Sequence, residues 1–212
     1  MVNTAPPPPR RVLIVDDHPI MCDGLALVLE SSGEMEVVGR AADGIEALRL
    51  FDELQPDITL MDLRIPKLNG VEAIAAIRRR SPTARILVLT TYSGDAQILR
   101  ALRAGADGFL LKNSVRRELL EAINAVCSGR RHLSTGAATE LAMHAMDDPL
   151  TSRETDTLRY VAEGAGNRDI ANLMGVAEAT VKTHLKNIFS KLRVNDRTQA
   201  VVLAAKRGII DL

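Results

Sequence analysis

Five polar residues at the ends of apolar runs are the first candidates for chemistry in this sequence: Asp16, Asp17, Asp62, Thr90 and Lys112. Three carboxylates held close together repel one another unless a cation joins them, and their hard oxygen atoms suit Mg²⁺. If the fold gathers these residues, they form a divalent-cation site. The alternative is a set of solvated strand ends, which fits Asp16 and Asp17 alone better than it fits all five residues.

The segments between these residues predict how they are gathered. From Arg11 to about Cys127, short apolar runs alternate with longer segments whose apolar residues recur every three or four positions. The alternation predicts an α/β fold, a doubly wound five-stranded parallel sheet with helices on both faces. Ligands of such sheets bind at the carboxyl ends of the strands, so the five residues should meet at one edge. The predicted strands are Val12–Val15, Met35–Gly39, Asp57–Met61, Ile86–Leu89 and Gly108–Leu111, and the predicted helices are Ile20–Leu29, Gly44–Leu54, Val71–Arg79, Ala96–Ala104 and Arg116–Val126.

Composition and charge limit the class of protein. The 212 residues are 46% hydrophobic and carry no formal net charge, yet residues 150–212 hold ten basic and seven acidic side chains. This basic C-terminal part suggests a polyanionic partner. No apolar run approaches the ~20 residues of a membrane span. Cys22 and Cys127 lack metal-ligand spacing, which indicates buried free thiols in a reducing cytoplasm. Residues 1–10 are predicted to be a disordered Pro-rich tail without a secretory signal.

The C-terminal part has a different organisation. Residues 128–148 lack a strong period and are predicted to be a linker with one weak helix near Thr139–Met146. From Leu150 onward the sequence predicts a second, all-α domain of four helices. The first predicted helix lies between Thr151, which forms a capping box with Glu154, and Gly164, and the second lies between Asn167 and Gly175. The third runs from about Glu178 to Leu192, and the fourth lies between Asn195 and Gly208.

The third of these helices has one apolar face and one basic face. Its apolar stripe consists of Val181, Leu185, Ile188, Phe189 and Leu192, and the opposite face carries Lys182, Thr183, Lys186, Asn187 and Ser190. An ordinary solvated face is the alternative. The short helix before it and the turn at Gly175 favour a helix-turn-helix whose second helix meets DNA.

The first domain resembles a known family. The Asp16–Asp17 pair, the segment 62–66 (Asp-Leu-Arg-Ile-Pro), Thr90 and Lys112 resemble the signature of two-component receiver domains, which have a flavodoxin-like sheet. The resemblance covers about Arg11 to Val126. It implies that Asp62 accepts a phosphoryl group from the phosphohistidine of a sensor kinase.

The same resemblance assigns roles around Asp62. It implies that Asp17, Asp62 and the backbone carbonyl of Arg64 bind Mg²⁺, with Asp16 helping through water. It also implies that Lys112 pairs with the phosphoryl oxygens, that Thr90 moves to hydrogen-bond them, and that Phe109 changes rotamer. Phe109 departs from the commoner Tyr, and Asn113 stands where many receivers carry Pro, so no cis peptide is assumed there. His18 is not expected to bind the metal.

The second domain also resembles a family. The segments 150–154, 167–171, 180–184 and 191–192, with Val194 and Arg197, closely resemble the LuxR-type DNA-binding domain, and the whole chain is similar to NarL/FixJ-family response regulators. The resemblance implies that Lys182, Thr183 and Lys186 face the major groove. It places Arg153, Lys191 and Arg197 nearer phosphates or in structural ion pairs.

The third and fourth predicted helices of this domain each have an unusual feature. Ala177 stands where the family usually has a Ser that caps the recognition helix. The last helix is apolar on all sides, and packing on its own domain explains one face only. The family implies that this helix dimerises the domain, through residues such as Val201, Val202 and Ala205.

The resulting hypothesis is a cytoplasmic transcription regulator that is not an enzyme. Its expected parts are the tail 1–10, the receiver 11–127, the linker 128–148 and the DNA-binding domain 149–212. Its expected partners are a sensor histidine kinase, promoter DNA and a second copy when phosphorylated, with RNA polymerase as a further candidate and no membrane.

Two other functions remain as alternatives. A phosphorylation-independent DNA-binding protein, whose receiver only dimerises, would fit an incomplete acidic site better. A Mg²⁺-dependent phosphohydrolase with an aspartyl-phosphate intermediate needs Asp-x-Asp on the first strand, whereas this strand ends in Asp16, Asp17 and His18.

Overall fold

The computed structural model describes residues 8–91, 94–114 and 116–210. The predicted tail therefore lies mostly outside the described residues. Contacts divide the chain into two compact units. The first unit consists of the residues up to Thr91 together with residues 98–138. The second unit consists of the short segment between Thr91 and residue 98 together with the residues from Thr139 onward. Among the described helices, none is both long and apolar enough to cross a membrane.

A parallel sheet forms the centre of the first unit and confirms the predicted α/β fold. Its strand order is β2-β1-β3-β4-β5-β6, and each neighbouring pair runs parallel. The strands are β1 (Arg10–Val15), β2 (Met35–Ala41), β3 (Ile58–Met61), β4 (Ile86–Thr90), β5 (Gly108–Leu111) and β6 (His132–Leu133). The connecting helices are α1 (Pro19–Glu30), α2 (Gly44–Leu54), α3 (Gly70–Arg80), α4 (Asp95–Ala104) and α5 (Arg116–Cys127). β3 and β4 are buried along their whole length, as strands covered by helices on both faces should be.

The sheet has a sixth strand where the sequence predicts five. β6 has two residues and lies in the segment predicted to be a linker, which also contains α6 (Thr135–Met143). Two residues are too few to show an alternating pattern, so sequence periodicity could not reveal this strand. Its pairing with β5 places Gly108 opposite His132 and covers the edge of the sheet.

Within residues 152–210, which the structure describes, four helices form the second domain, as predicted. They are α7 (Ser152–Ala162), α8 (Asn167–Met174), α9 (Glu178–Leu192) and α10 (Arg197–Lys206). The capping box at the start of α7 has both of its bonds. Two predicted caps were wrong by one residue: Gly166 precedes α8, and the N-cap of α10 is Asp196, whose carboxylate accepts from the Gln199 backbone N–H at 2.8 Å.

A buried ion pair between Asp95 and Arg207 holds the short segment of residues 94–97 within the second unit. The Arg207 guanidinium donates to both carboxylate oxygens of Asp95, at 2.9 and 2.7 Å, and to Asp147 at 3.0 Å. Asp95 is 5% exposed and Arg207 is 9% exposed. No sequence pattern indicates this pair, which joins positions 112 residues apart along the chain.

Candidate functional site

The strand ends of the first unit meet through backbone hydrogen bonds. The Asp16 N–H donates to the Ala41 carbonyl at 3.0 Å and the Asp62 N–H donates to the Val15 carbonyl at 2.9 Å. On the other side of the sheet, the Lys112 N–H donates to the Thr90 carbonyl at 2.8 Å. These bonds extend the sheet pairing by one residue beyond each strand. The polar residues that follow β1, β3 and β5 therefore lie at one edge.

Lys112 links the two buried carboxylates of this edge. Its Nζ lies 2.5 Å from Asp62 Oδ2 and 2.7 Å from Asp16 Oδ2. The side chains of all three residues are at most 5% exposed. Burial opposes the charged form of Lys112, but its hydrogen bonds to Asp16 and Asp62 and their negative charges outweigh burial, so its pKa is raised. The amine is therefore a fixed cation beside Asp62.

The loop after β3 holds the other oxygen of Asp62. Oδ1 accepts from the Leu63 N–H at 2.6 Å and from the Arg64 N–H at 3.3 Å. The first residue of α3 is Gly70, and a Cβ there would lie 2.1 Å from the Asp62 carbonyl oxygen. Only glycine lets the backbone approach so closely. Sequence reasoning missed Gly70 as a residue that shapes the site, although Asn69-Gly70 is a recognisable turn signal.

The acidic edge has the donor set of a divalent cation site. Ligand atoms of Asp16, Asp17, His18 and Asp62 all lie within 4.8 Å of one another. His18 Nδ1 lies 2.8 Å from Asp17 Oδ1 and 3.2 Å from Asp16 Oδ1, so it contacts the carboxylates themselves. Three carboxylates therefore lie close together, and the Lys112 ammonium contacts two of them. A hard cation with oxygen ligands would offset the repulsion among them.

Thr90 and Phe109 lie on the paired strands β4 and β5 of the same sheet. Thr90 ends β4, is 1% exposed, and its hydroxyl has no hydrogen-bond partner among the described residues. A buried hydroxyl without a partner is unfavourable, because it has given up its hydrogen bonds to water. Phe109 is completely buried in β5. The Thr90 hydroxyl is therefore available to donate or accept a further hydrogen bond.

The second candidate site is the exposed face of α9. Gly175, with φ of +66°, ends α8, and α9 begins three residues later. Val181, Leu185, Ile188 and Leu192 are buried, and Phe189 is partly buried against the same core. Lys182, Thr183 and Lys186 are exposed on the opposite side. No side chain caps the helix at Ala177.

The three other basic residues proposed for DNA contact, Arg153, Lys191 and Arg197, differ in their hydrogen bonding. Lys191 Nζ lies 2.9 Å from the buried Glu154 and 3.0 Å from the Pro149 carbonyl, so it is part of a structural ion pair. Arg197 donates to the Ala165 carbonyl at 2.9 Å, and Arg153 is exposed. The geometry therefore favours the ion-pair alternative for Lys191. The pKa of Glu154 is lowered, because its bonds to Thr151 and Lys191 outweigh its burial.

The last helix keeps part of its apolar surface open. In α10, Ala200 and Ala204 are buried, and Val201 and Ala205 are partly buried against the same core. Val202 is 47% exposed. One face of the helix thus packs on its own domain, as expected, and Val202 lies outside that contact.

Comparisons with known proteins identify the families of both domains. The family described as "Response regulator receiver domain" matches residues 12–124, and "Bacterial regulatory proteins, luxR family" matches 148–204. The transcriptional regulatory protein LiaR of Bacillus subtilis is 39% identical over 95% of this chain and 99% of its own length. The nitrate/nitrite response regulator NarP of Escherichia coli is 39% identical over 92% and 94%. RcsB of Salmonella enterica serovar Typhimurium, bound to the promoter rprA with the phosphomimetic BeF3-, superposes with a TM-score of 0.70 at 26% identity, covering 93% of this chain and 98% of RcsB.

Proposed function

This chain belongs to the two-component response regulators that carry a LuxR-type DNA-binding domain and regulate transcription, and we propose that phosphorylation of Asp62 controls its binding to promoter DNA. The observation that carries the proposal is the position of Asp62. It lies 2.5 Å from the ammonium of Lys112, in one cluster with Asp16 and Asp17.

The chemistry at Asp62 is a phosphoryl transfer. A carboxylate oxygen of Asp62 attacks the phosphorus of a kinase phosphohistidine; the P–N bond breaks, an acyl phosphate forms, and the histidine nitrogen leaves with the electron pair. Asp17, Asp62 and the Arg64 carbonyl would hold Mg²⁺, with Asp16 acting through water; the ion would supply positive charge that neutralises the transferring group. Lys112, already charged and close to Asp62, pairs with the phosphoryl oxygens.

Phosphorylation then changes what surrounds Thr90. A phosphoryl group on Asp62 brings strong acceptor oxygens and further negative charge. The Thr90 hydroxyl, which has no partner within the described part of the chain, gains one by turning toward the phosphoryl group, and this frees space for a rotamer change of Phe109. This rearrangement is the local event that biases the protein toward its DNA-binding form.

The DNA-binding form uses α9. Lys182, Thr183 and Lys186 enter the major groove, while Arg153 contributes phosphate contacts. Two domains join through α10, with the exposed Val202 at the contact and the partly buried Val201 and Ala205 beside it, so that a dimer reads a palindromic site. The phosphohistidine of a cognate sensor kinase is the phosphoryl donor, and RNA polymerase is a further partner.

The test compares wild type with Asp62→Asn. Each protein is treated with acetyl phosphate and Mg²⁺, analysed by intact-protein mass spectrometry, and titrated into promoter DNA selected with the wild-type protein. We expect wild type to gain about 80 Da, the mass of one phosphoryl group, and to bind DNA more tightly after treatment, and we expect Asp62→Asn to do neither.

The matched control is Asp52→Asn, which removes a carboxylate from an exposed ion pair with Arg80 in the same unit. This variant should behave as wild type. Equal labelling of Asp62→Asn, or equal DNA affinity of treated wild type and treated Asp62→Asn, would refute the proposal. The labelling arm also separates this proposal from phosphorylation-independent DNA binding.

A further inference from the structure

A row of three charged residues runs along the exposed side of α9. Glu178, Lys182 and Lys186 are spaced four residues apart, so they lie on one helix face. Glu178 is the first residue of the helix, and its Oε1 lies 2.9 Å from Lys182 Nζ. Both side chains are largely exposed, at 47% and 64%. A carboxylate thus stands at the head of the surface that faces DNA in the proposed function.

A carboxylate in this position has a definite electrostatic consequence. Glu178 accepts hydrogen bonds and cannot donate them, and it is repelled by phosphates. In the major groove, guanine offers two acceptors, thymine offers an acceptor and a methyl group, and adenine places an acceptor beside its amino group. The N4 amino group of cytosine is a donor without a neighbouring acceptor of its own. Of the four bases, cytosine is therefore the best match for Glu178.

Lys182 complements this preference. Its ammonium donates, and the N7 and O6 atoms of guanine are the commonest acceptors for a lysine in the major groove. The contact with Glu178 keeps Lys182 on the side of the helix start, where residues of a recognition helix reach base edges. The Glu178 carboxylate and the Lys182 ammonium lie side by side. The carboxylate can therefore accept from a cytosine while the ammonium donates to a guanine at a neighbouring position.

We propose that Glu178 is a specificity-determining residue, which accepts a hydrogen bond from the N4 amino group of a cytosine and positions Lys182 on a neighbouring guanine. The inference rests on the proposed role of α9 in reading DNA. It differs from a purely helix-stabilising role for Glu178, in which a first-turn carboxylate and an i,i+4 ion pair stabilise α9 without selecting a base.

The experiment is a selection from double-stranded DNA with about 20 randomised base pairs, roughly two helical turns, using the full chain both untreated and treated with acetyl phosphate and Mg²⁺. Wild type should enrich a motif with a strongly preferred cytosine. In Glu178→Gln that preference should fall about tenfold or more, with adenine rising, because an amide pairs with adenine N6 and N7. In Glu178→Ala the preference should fall without a gain for adenine.

Glu163→Gln is the matched control, since Glu163 is an exposed glutamate just after α7 and the change removes the same charge from the same domain. It should enrich the wild-type motif, and circular dichroism should show equal folding of all variants. An unchanged motif in Glu178→Gln overturns the inference and leaves the proposed function intact. A wild-type protein that enriches no sequence in either state overturns both.

Discussion

The buried position of Lys112 makes Lys112→Met the most informative single change. Lys112 lies between two carboxylates, Asp16 and Asp62, and the three side chains are 5%, 2% and 5% exposed. Removing one partner of a buried ion pair leaves an uncompensated charge and typically costs about 3–5 kcal/mol. Here the loss leaves two buried carboxylates facing each other, so we expect a cost within that range in the absence of divalent cations.

Arg80→Met provides a control at an exposed ion pair of the same unit. Arg80 Nη1 lies 2.5 Å from Asp52 Oδ2, the same distance as between Lys112 Nζ and Asp62 Oδ2. Both side chains of this pair, however, are about half exposed, at 48% and 49%. Exposed ion pairs typically contribute about 0–1 kcal/mol, so Arg80→Met should change stability little.

The assay is urea unfolding of the full chain at pH 7 in EDTA, followed by far-UV circular dichroism. Because the chain has two units, the two transitions are fitted separately, and the first unit should lose stability in Lys112→Met only. Adding Mg²⁺ should restore part of the loss, since the cation takes over the neutralising role of the ammonium. Equal, small effects of both substitutions would refute the reasoning that burial governs the energy of the Lys112 pair.

Further predictions address pH, capping and close packing. The pKa of Lys112 is raised, so its stabilising contribution is complete below its ordinary value of 10.5 and is lost as pH rises through the higher folded value; the stability difference between wild type and Lys112→Met should narrow in that alkaline range. Glu154→Gln should cost about 1.5–3 kcal/mol at pH 7. Its pKa is lowered, so this cost should shrink as pH falls below 4.5, as thermal unfolding from pH 6 to pH 3 would show. Ala177→Ser should stabilise α9 by about 0.5–2 kcal/mol, because Ala177 already has the extended backbone of an N-cap; an unchanged melting temperature would contradict this. Gly70→Ala should destabilise the first unit by about 1–3 kcal/mol and slow labelling by acetyl phosphate, since its Cβ would meet the Asp62 backbone.

Most of the candidate acidic site could be predicted because its residues follow strands that sequence periodicity identifies. Asp62 and Lys112 each come directly after an apolar run, and parallel strands bring such positions to one edge. The helix-turn-helix was equally readable, because α8, the turn at Gly175 and the apolar stripe of α9 are local patterns. The strand β6 was missed, because its two residues carry no period.

The sequence by itself determined the class of both domains, the residue types at each strand end and the order of the elements apart from β6, because these follow from short-range periodicity and capping. Tertiary structure alone decided which side chains meet. It placed Lys112 against both Asp16 and Asp62, left the Thr90 hydroxyl without a described partner, and directed Lys191 to Glu154. These contacts join residues far apart in the chain, so they depend on how the elements pack and leave no local pattern for the sequence to reveal.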